Sequence, residues 1–354
     1  MSQRKLIFIT GASRSGTTLL SLMLRNHRDV FGLKELQYFG DAWDPRDARR
    51  RFTRAEAIAA AATMLACQEH GVLAHATGTE HRRQAARLVD ALGSSGTDPV
   101  ELFAGIAHRA AQAGGKKIPC EQTPRYIFYA RELLEVYPAA EVVHIVRDPR
   151  AVMASQKMRW QRRRMAADGR RLPRYEALRV WVNYHPFTVA RLWTRATVAA
   201  LALADHPRVT ILRFEDLVSR PETTLRGLCE RLGLEYDERL LDVPQVNSSH
   251  LYSTGGRRGL RTDAIDKWRE VLSPTEISIT ESYCGALMRR FDYARESGAG
   301  RIGAWRRVGY LLSYLAHLGG VVLVNPTRAY VQGRALMRPR AVPGREPVQG
   351  NPAK

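Results

Sequence analysis

Short apolar runs alternate with amphipathic stretches along the chain, a pattern that is typical of a parallel α/β sheet. The apolar runs predict strands at Leu6–Thr10, Lys117–Pro119, Glu141–Val146 and Val209–Leu212. Apolar residues at helical spacing predict helices at Thr18–Asn26, Ala55–Gln68, His81–Leu92, Val100–Ala113, Arg125–Val136, Arg150–Trp160 and Tyr175–Ala204. Because several of these helices lie between the early and middle strands, the region of about 42–115 is predicted to be a helical insertion.

The later part of the chain adds capped helices, a loop and a change of composition. Two Ser-x-x-Glu sequences that contain proline, Ser219–Glu222 and Ser273–Glu276, predict capping boxes at helix N-termini. Residues Val243–Arg261 have no periodicity and are predicted to form a loop. We expect one α/β domain over 1–296, followed over 297–354 by an apolar helix and a basic, Pro/Gly-rich tail.

The composition favours a folded protein with anionic partners. Of the 354 residues, 45% are apolar, which allows a sizeable core. The formal net charge of +20 favours nucleotides, nucleic acid, an anionic membrane or acidic substrates as partners. The four cysteines lie far apart without a CxxC pair, so we expect neither a disulfide scaffold nor a cysteine-based zinc site.

The first candidate site is a glycine-containing turn between the first strand and the first helix. It spans Gly11–Thr18 and reads GASRSGTT. In this context backbone N–H groups and the positive end of a helix are directed at a phosphate. The pattern is close to GxxxxGK[ST], but Thr17 stands in the position of the lysine, and Arg14 is the available substitute cation. The turn therefore predicts a P-loop-like parallel sheet flanked by helices.

The second candidate site follows the strand Glu141–Val146, and the residues leave two functions open. Asp148 is a candidate magnesium ligand of a P-loop small-molecule kinase. The missing lysine counts against a kinase, because that lysine contacts the β- and γ-phosphates. Alternatively, Arg147 forms an anion site with Ser155 and Arg159, which are four residues apart and share a helix face.

Together the two motifs resemble the cofactor-binding motifs of sulfotransferases. The matching residues are Ser13–Leu20 (SRSGTTLL) and Val146–Ser155 (VRDPRAVMAS). The match is greatest to the branch that includes the protein-tyrosine sulfotransferases and many bacterial relatives, in which an arginine replaces the lysine of the loop. The resemblance continues through Leu212–Val218, Pro221–Leu232 and Ala264–Arg269. It covers about residues 5–293, with 42–115 and the tail poorly matched.

The resemblance implies an enzyme that moves a sulfuryl group from 3′-phosphoadenosine-5′-phosphosulfate (PAPS) to an acceptor hydroxyl by in-line displacement, with no metal expected. The residues implied for the 5′-phosphosulfate are Arg14, Ser15, Gly16, Thr17 and Thr18. Those implied for the 3′-phosphate are Arg147, Ser155 and Arg159, with Lys267, Arg257 and Arg258 as further basic residues near the nucleotide.

The resemblance also implies that Glu35, by its spacing from Arg14, is the catalytic base. A placed base contributes ~10²–10⁴-fold to rate. Arg14 and the loop amides would stabilise charge on the departing phosphate oxygen. The chain departs from the family pattern at Phe214, where relatives often have tyrosine, and at Gln122, which replaces a common lysine. Lys34 is a further concern, because pairing with Glu35 would lower the basicity of that carboxylate.

A third hypothesis is a non-enzymatic basic module that binds an anion or a membrane, which would not require Glu35. Specific nucleic-acid binding is not expected: Lys157–Arg174 has eight basic residues and one acid, but no recognised reader fold accompanies it. His70, His75 and His81 do not share one helix face, so no metal site is expected there. The acceptor stays open among a protein tyrosine, a carbohydrate, a lipid and a small phenol, and the oligomeric state also stays open.

The last feature is the apolar stretch Val308–Val324, which carries no formal charge except a potential one on His317. It is shorter than the ~20 residues that a spanning helix needs. Two hypotheses remain: a helix packed on the domain, or an interfacial helix that binds an anionic membrane through residues 301–324. The apolar run Lys5–Thr10 is too short for a signal peptide. We therefore expect a cytoplasmic protein, with peripheral attachment at the inner face of the membrane as the alternative.

Overall fold

A parallel sheet forms the centre of the protein. The computed structural model describes residues 4–47, 49–71, 77–163, 178, 181–182, 184–244, 258–296 and 304–326. Within these ranges the sheet has five strands in the order β2-β3-β1-β4-β5. The strands are β1 (Leu6–Gly11), β2 (Val30–Gly32), β3 (Ile118–Glu121), β4 (Ala140–Val146) and β5 (Val209–Arg213). Every paired strand is parallel to its neighbour, so the predicted α/β class with a P-loop-like parallel sheet is confirmed.

Helices surround the sheet in the described ranges. They are α1 (Thr17–Leu24), α2 (Arg54–His70), α3 (Thr79–Ala91), α4 (Pro99–Ala113), α5 (Ala130–Val136), α6 (Pro149–Arg163), α7 (Pro186–Leu201), α8 (Phe214–Ser219), α9 (Pro221–Arg231), α10 (Trp268–Val271), α11 (Pro274–Arg290) and α12 (Ala304–Val324). Helices α2, α3 and α4 lie between β2 and β3 in the chain, where the helical insertion is predicted.

Strand β1 separates two hydrophobic cores. Leu6 and Phe8 belong to the larger core, which also contains the insertion helices. Ile7 and Ile9 belong to the smaller core, together with Leu20 of α1. Because β1 is buried on both faces, its sequence is a continuous apolar run rather than an alternating one.

Three of the differences between the predicted elements and the structure have a local cause. Strand β2 is missing from the prediction because three residues are too few to show a period. The predicted helix Arg125–Val136 is a 3₁₀ helix over Pro124–Tyr129 that continues into α5. The predicted helix Tyr175–Ala204 is interrupted before Pro186, since proline lacks an N–H and disfavours helical geometry in the preceding residue. Residues 175–177 lie outside the described ranges.

One of the two predicted capping boxes is confirmed. Ser273 Oγ accepts a hydrogen bond from the backbone of Glu276, and the Glu276 side chain accepts one in return. The box at Ser219 is wrong: Ser219 ends α8, and Arg220 precedes α9 without a side-chain cap. Because Ser219 is the last residue of α8, it does not act as the N-cap of α9. Of the predicted loop Val243–Arg261, residues 245–257 lie outside the described ranges.

The carboxyl ends of the parallel strands bring the predicted site residues to one edge of the sheet. Arg14 follows β1, Glu35 follows β2, and Arg147 follows β4. Ligands of open α/β sheets bind at this edge. The topology therefore places residues that are far apart in sequence around one region, which we call the carboxyl edge.

Candidate functional site

The turn after β1 depends on two residues with positive φ, Arg14 at 81° and Gly16 at 104°. A Cβ on Gly16 would lie 2.4 Å from the ring of Phe214, so only glycine fits at this position. Gly16 also precedes α1, whose first-turn amides, at Thr17 and Thr18, have no acceptor within the helix. The turn thus has the backbone geometry of an anion-binding loop.

Side chains connect this turn to the second motif. Arg14 Nε donates to Ser155 Oγ at 3.0 Å. Gln156 Nε2, next along α6, donates to the carbonyl of Ser13 at 3.4 Å. The two segments, about 140 residues apart in sequence, are therefore in direct contact at the carboxyl edge.

Arg147 is a half-buried cation whose hydrogen-bond partners among the described residues are neutral groups. Its Nη2 donates to the carbonyl of Ala264 at 2.7 Å, and its Nη1 donates to the carbonyl of Arg14 at 3.3 Å. The guanidinium lies 4.2 Å from the ring centroid of Phe214. Its buried Nε has no hydrogen-bond partner in the described part of the chain. Burial lowers the pKa of Arg147, while the nearby charges of Glu215 and Asp148 act in the opposite direction.

Arg150 differs from Arg147 in having two carboxylate partners. It donates to Asp148 at 2.7 Å and to Glu281 at 2.8 Å, and all three side chains are buried. Arg150 also lies 4.1 Å from the ring centroid of Trp268. Both carboxylate oxygens of Asp148 already accept hydrogen bonds from Arg150, so the geometry does not favour Asp148 as a magnesium ligand.

Two further buried polar atoms at the carboxyl edge lack partners within the described residues. Ser15 is 0% exposed and its Oγ has no hydrogen-bond partner, while Gln122 is 9% exposed and its Oε1 has none. Buried polar groups are nearly always hydrogen-bonded, so these two exceptions at the edge where ligands of such sheets bind favour a polar ligand there. The Ser15 hydroxyl and the Arg147 guanidinium can donate to an anionic ligand, whereas the Gln122 amide oxygen can only accept a hydrogen bond from a ligand.

Glu35 is half-buried, and hydrogen bonds to β3 flank it in the chain, at Leu33 and at Leu36. The amide of Leu33 donates to the carbonyl of Cys120 at 2.8 Å, and the amide of Leu36 donates to Glu121 Oε1 at 2.9 Å. Gln37 Nε2 donates to Glu35 Oε2 at 3.1 Å. These bonds position the Glu35 carboxylate at the carboxyl edge.

Glu121 is a functional candidate that the sequence reasoning missed. Its carboxyl accepts hydrogen bonds from the amide of Thr123 at 2.9 Å and from Thr123 Oγ1 at 2.5 Å, besides that from Leu36. Burial raises the pKa of Glu121 to about 8, and the nearby negative charge of Glu35 adds to the rise. The available signal was an acid at the end of a strand, but the predicted strand stopped at Pro119, two residues earlier.

Lys34 has partners on α2. Its Nζ donates to the carbonyl of Glu69 at 2.7 Å, and its amide donates to Gln68 Oε1 at 2.9 Å. The Lys34 side chain is therefore engaged at the C-terminal end of α2, in a neutral contact.

The remaining predicted residues lie at different distances along the chain from the contacts described above. Lys267 lies three residues after Ala264, whose carbonyl binds Arg147, so its backbone borders the site. Arg159 lies in α6, one turn after Ser155. Arg257 lies outside the described residues. Arg258 forms an ion pair with Asp242 and also donates to the Asp242 carbonyl at 2.9 Å, so it points towards that residue.

The turn after β4 has two supports that the sequence did not reveal. Trp193 Nε1 donates to the carbonyl of Arg147 at 2.9 Å. Glu215 accepts from the amide of Asp148 at 3.0 Å and from the hydroxyl of Tyr293 at 2.7 Å. Burial raises the pKa of Glu215. These contacts cross between four elements, which explains why no local pattern predicts them.

Two of the three histidines noted in the sequence approach one another. His70 ends α2 and His81 lies in α3, so the two helices bring them to Glu69, although no single helix face does. His81 Nε2 lies 2.9 Å from Glu69 Oε2, and His81 Nδ1 accepts from the amide of Gly78 at 3.2 Å. Both ring nitrogens of His81 therefore have protein partners, and the group is explained as a link between α2 and α3.

The fold defines an α/β protein of the P-loop-like class, with the backbone geometry of an anion-binding loop at its first strand–helix turn. A family model described as the sulfotransferase family matches residues 7–238, and the chain belongs to this family.

The chain is 28% identical to the nodulation protein NoeE of Sinorhizobium fredii over 82% of the chain and 68% of that protein. It is 28% identical to the omega-hydroxy-beta-dihydromenaquinone-9 sulfotransferase Stf3 of Mycobacterium bovis, over 50% of the chain and 41% of the relative. The matched segment thus covers less than half the length of Stf3. The sulfotransferase domain of the curacin biosynthetic pathway has a similar fold, with a TM-score of 0.54 and 18% identity over 84% of this chain and 100% of that domain.

Proposed function

We propose that this sulfotransferase uses PAPS as its sulfuryl donor and transfers the group to an acceptor hydroxyl, with Glu35 as general base. The observation that carries the donor assignment is Arg147, whose half-buried guanidinium donates to carbonyl oxygens and contacts a ring but has no hydrogen-bonded carboxylate among the described residues. Its buried Nε also has no partner there, and an unpaired buried donor on a charged group is costly. An anionic group on the ligand would offset that cost, and the family supplies the reaction class.

The two halves of the site suit the two ends of this donor. Arg14, Ser15, Gly16, Thr17 and Thr18 would hold the 5′-phosphosulfate at the N-terminus of α1. Arg147 and Ser155 would hold the 3′-phosphate, with Arg159, Lys267 and Arg257 as proposed further contacts. When bound, the donor supplies a sulfuryl group attached to a phosphate that can leave.

The acceptor hydroxyl must lose a proton as it attacks sulfur, and the Glu35 carboxylate is the proposed proton acceptor. Gln37 and the Leu36–Glu121 hydrogen bond orient the segment that carries this carboxylate. The Arg14 guanidinium and the amides of the turn would stabilise the negative charge that develops on the phosphate oxygen. No residue in this scheme requires a metal ion.

The acceptor belongs to the class of hydroxyl compounds, and protein tyrosine, carbohydrate, lipid and small phenol remain candidates. The name of the Mycobacterium bovis relative gives omega-hydroxy-beta-dihydromenaquinone-9 as what that protein sulfates. This name supports a hydroxyl acceptor for the present protein, because half of the chain matches that relative and the chain belongs to the sulfotransferase family.

Binding of the desulfated donor tests the proposal. In a thermal-shift titration with EDTA present, we expect 3′-phosphoadenosine 5′-phosphate to stabilise the protein more than adenosine 5′-phosphate, because only the former can engage Arg147 and Ser155. Equal stabilisation by the two nucleotides would contradict the assignment. Thermal shifts with ATP and magnesium, and with a DNA duplex, are measured in parallel. They test the kinase and the nucleic-acid-binding alternatives, respectively.

A further inference from the structure

Helix α12 presents its apolar side chains to solvent. Trp305 is 88% exposed, Leu312 61% and Leu323 83%. We call the α12 face the set of exposed apolar residues on this helix: Trp305, Val308, Leu311, Leu312, Leu315, Leu318, Val322 and Leu323. A surface helix of a globular protein normally directs its apolar stripe into the core. In α12 the large apolar side chains instead face the solvent.

Polar and aromatic contacts attach the opposite side of α12 to the domain. The ring of His317, which is buried, lies 4.1 Å from the ring of Trp181 and 5.1 Å from that of His185, measured between centroids. Arg191 Nη1 donates to the hydroxyl of Tyr314 at 3.1 Å. Because the residues that could form a polar outer surface face the protein, the α12 face is left as the outward surface.

Neighbouring elements extend the same apolar surface. Trp181, which contacts His317, is 40% exposed, and Tyr283 of α11 is 51% exposed. The ring of Phe187 lies 5.2 Å from that of Tyr283 and 5.7 Å from that of Tyr314. Contiguous exposed apolar surface of this kind marks a site of association with a protein or a membrane.

The charge of the surrounding sequence identifies the partner. Between Glu296 and Glu346 the sequence has no Asp or Glu and eight arginines. A second copy of the chain would carry the same excess of positive charge, and like charges oppose association. An anionic lipid surface matches both properties, since it takes up apolar side chains and attracts arginine.

We propose that the α12 face docks on an anionic lipid bilayer, with the helix lying along the membrane surface. No helix among the described residues is long and apolar enough to cross a membrane. Docking would bring the enzyme to acceptor hydroxyls that are carried by lipids. This consequence for the acceptor rests on the proposed function, whereas the docking itself does not.

Vesicle sedimentation of the full chain tests the docking. The vesicles are phosphatidylcholine alone and phosphatidylcholine mixed with phosphatidylglycerol, each at low and at high salt. We expect the protein to sediment with the anionic vesicles at low salt, and high salt to reduce the partition coefficient ~tenfold or more. The double variant L312E/L315E is expected to reduce it similarly. The matched control V198E, at an exposed valine of α7, is expected to bind like the unmodified chain.

Three results would overturn the docking proposal. One is protein that stays in the supernatant with anionic vesicles at low salt, and another is equal binding to neutral and anionic vesicles. The third is a dimer in analytical ultracentrifugation that L312E/L315E dissociates, without any vesicle binding. The thermal shift with 3′-phosphoadenosine 5′-phosphate is measured on the same samples. A normal shift in L312E/L315E shows that the variant is folded and keeps failure of docking distinct from failure of the proposed function.

Discussion

The carboxyl edge and the α12 face each lack interaction partners, but of opposite kinds. At the carboxyl edge, Ser15 and Arg147 bury hydrogen-bond donors that have no partner among the described residues. On the α12 face, large apolar side chains such as Trp305 and Leu312 remain in solvent. Burying an unpaired polar group and exposing apolar surface are both costly. The comparison teaches that the type of unmet interaction indicates the missing partner: an anion at one region, and an apolar anionic surface at the other.

The same contrast occurs at smaller scale between two arginines that are three residues apart. Arg150 is enclosed by Asp148 and Glu281, so the folded protein itself neutralises its charge. Arg147 has carbonyl oxygens and the ring of Phe214 instead. We infer that Arg150 serves stability and Arg147 serves binding, although both lie in the same motif.

The largest expected effect separates catalysis from membrane docking. Glu35→Gln should lower kcat ~10²–10⁴-fold, because a general base is lost, while the affinity for 3′-phosphoadenosine 5′-phosphate stays nearly unchanged. Transfer of labelled sulfate from PAPS to any acceptor found by screening measures kcat, and vesicle binding should not change. Glu222→Gln, at an exposed carboxylate of α9, is the control. Normal turnover of the Glu35 variant with several acceptors would mean that the base lies elsewhere.

The next effect concerns the two arginines. Arg150→Ala leaves two buried carboxylates without their partner and should lower the free energy of unfolding by about 3–5 kcal/mol. Arg147→Ala should lower it by much less, yet weaken binding of 3′-phosphoadenosine 5′-phosphate by about 1.5–3 kcal/mol through loss of a charge-assisted hydrogen bond. Denaturant unfolding and calorimetric titration measure the two quantities. If the two variants are equally destabilised and bind the nucleotide equally well, the division of roles is wrong.

The smallest effect is a pH dependence at Glu121. Its pKa is about 8 in the folded protein, against the ordinary 4.5 of an unfolded chain. Between these values the folded state keeps a proton that the unfolded state has lost, so the free energy of unfolding falls as pH rises. The Glu121→Gln side chain does not titrate. The variant should therefore lose up to about 1.4 kcal/mol per pH unit from the slope of the unfolding free energy against pH. Unfolding curves between about pH 5 and 8 measure the slope. Parallel slopes for the variant and the unmodified protein would show that Glu121 does not titrate in this range.

Local sequence determined the parts of the protein whose causes are local. The apolar run of β1 and the GASRSGTT turn predict a buried strand, a sharp turn and a helix N-terminus within a few residues. The capping box at Ser273 is local in the same sense. The resemblance of the two motifs to one family grouped Arg14 with Arg147 in sequence, and the parallel strands bring the two turns to one edge of the sheet.

Tertiary structure alone decided which charges and apolar groups found partners. Arg147 and Arg150 are both arginines beside Asp148 in sequence, and only the packing of α11 gives Arg150 a second carboxylate in Glu281. Glu121 became a support for the Glu35 segment because β3 lies beside β2, which was too short to predict. The apolar stretch of α12 was visible in sequence, but its exposure depends on His317 and Tyr314 facing the domain. Contacts between elements depend on strand order and helix orientation, and no sequence window contains that information.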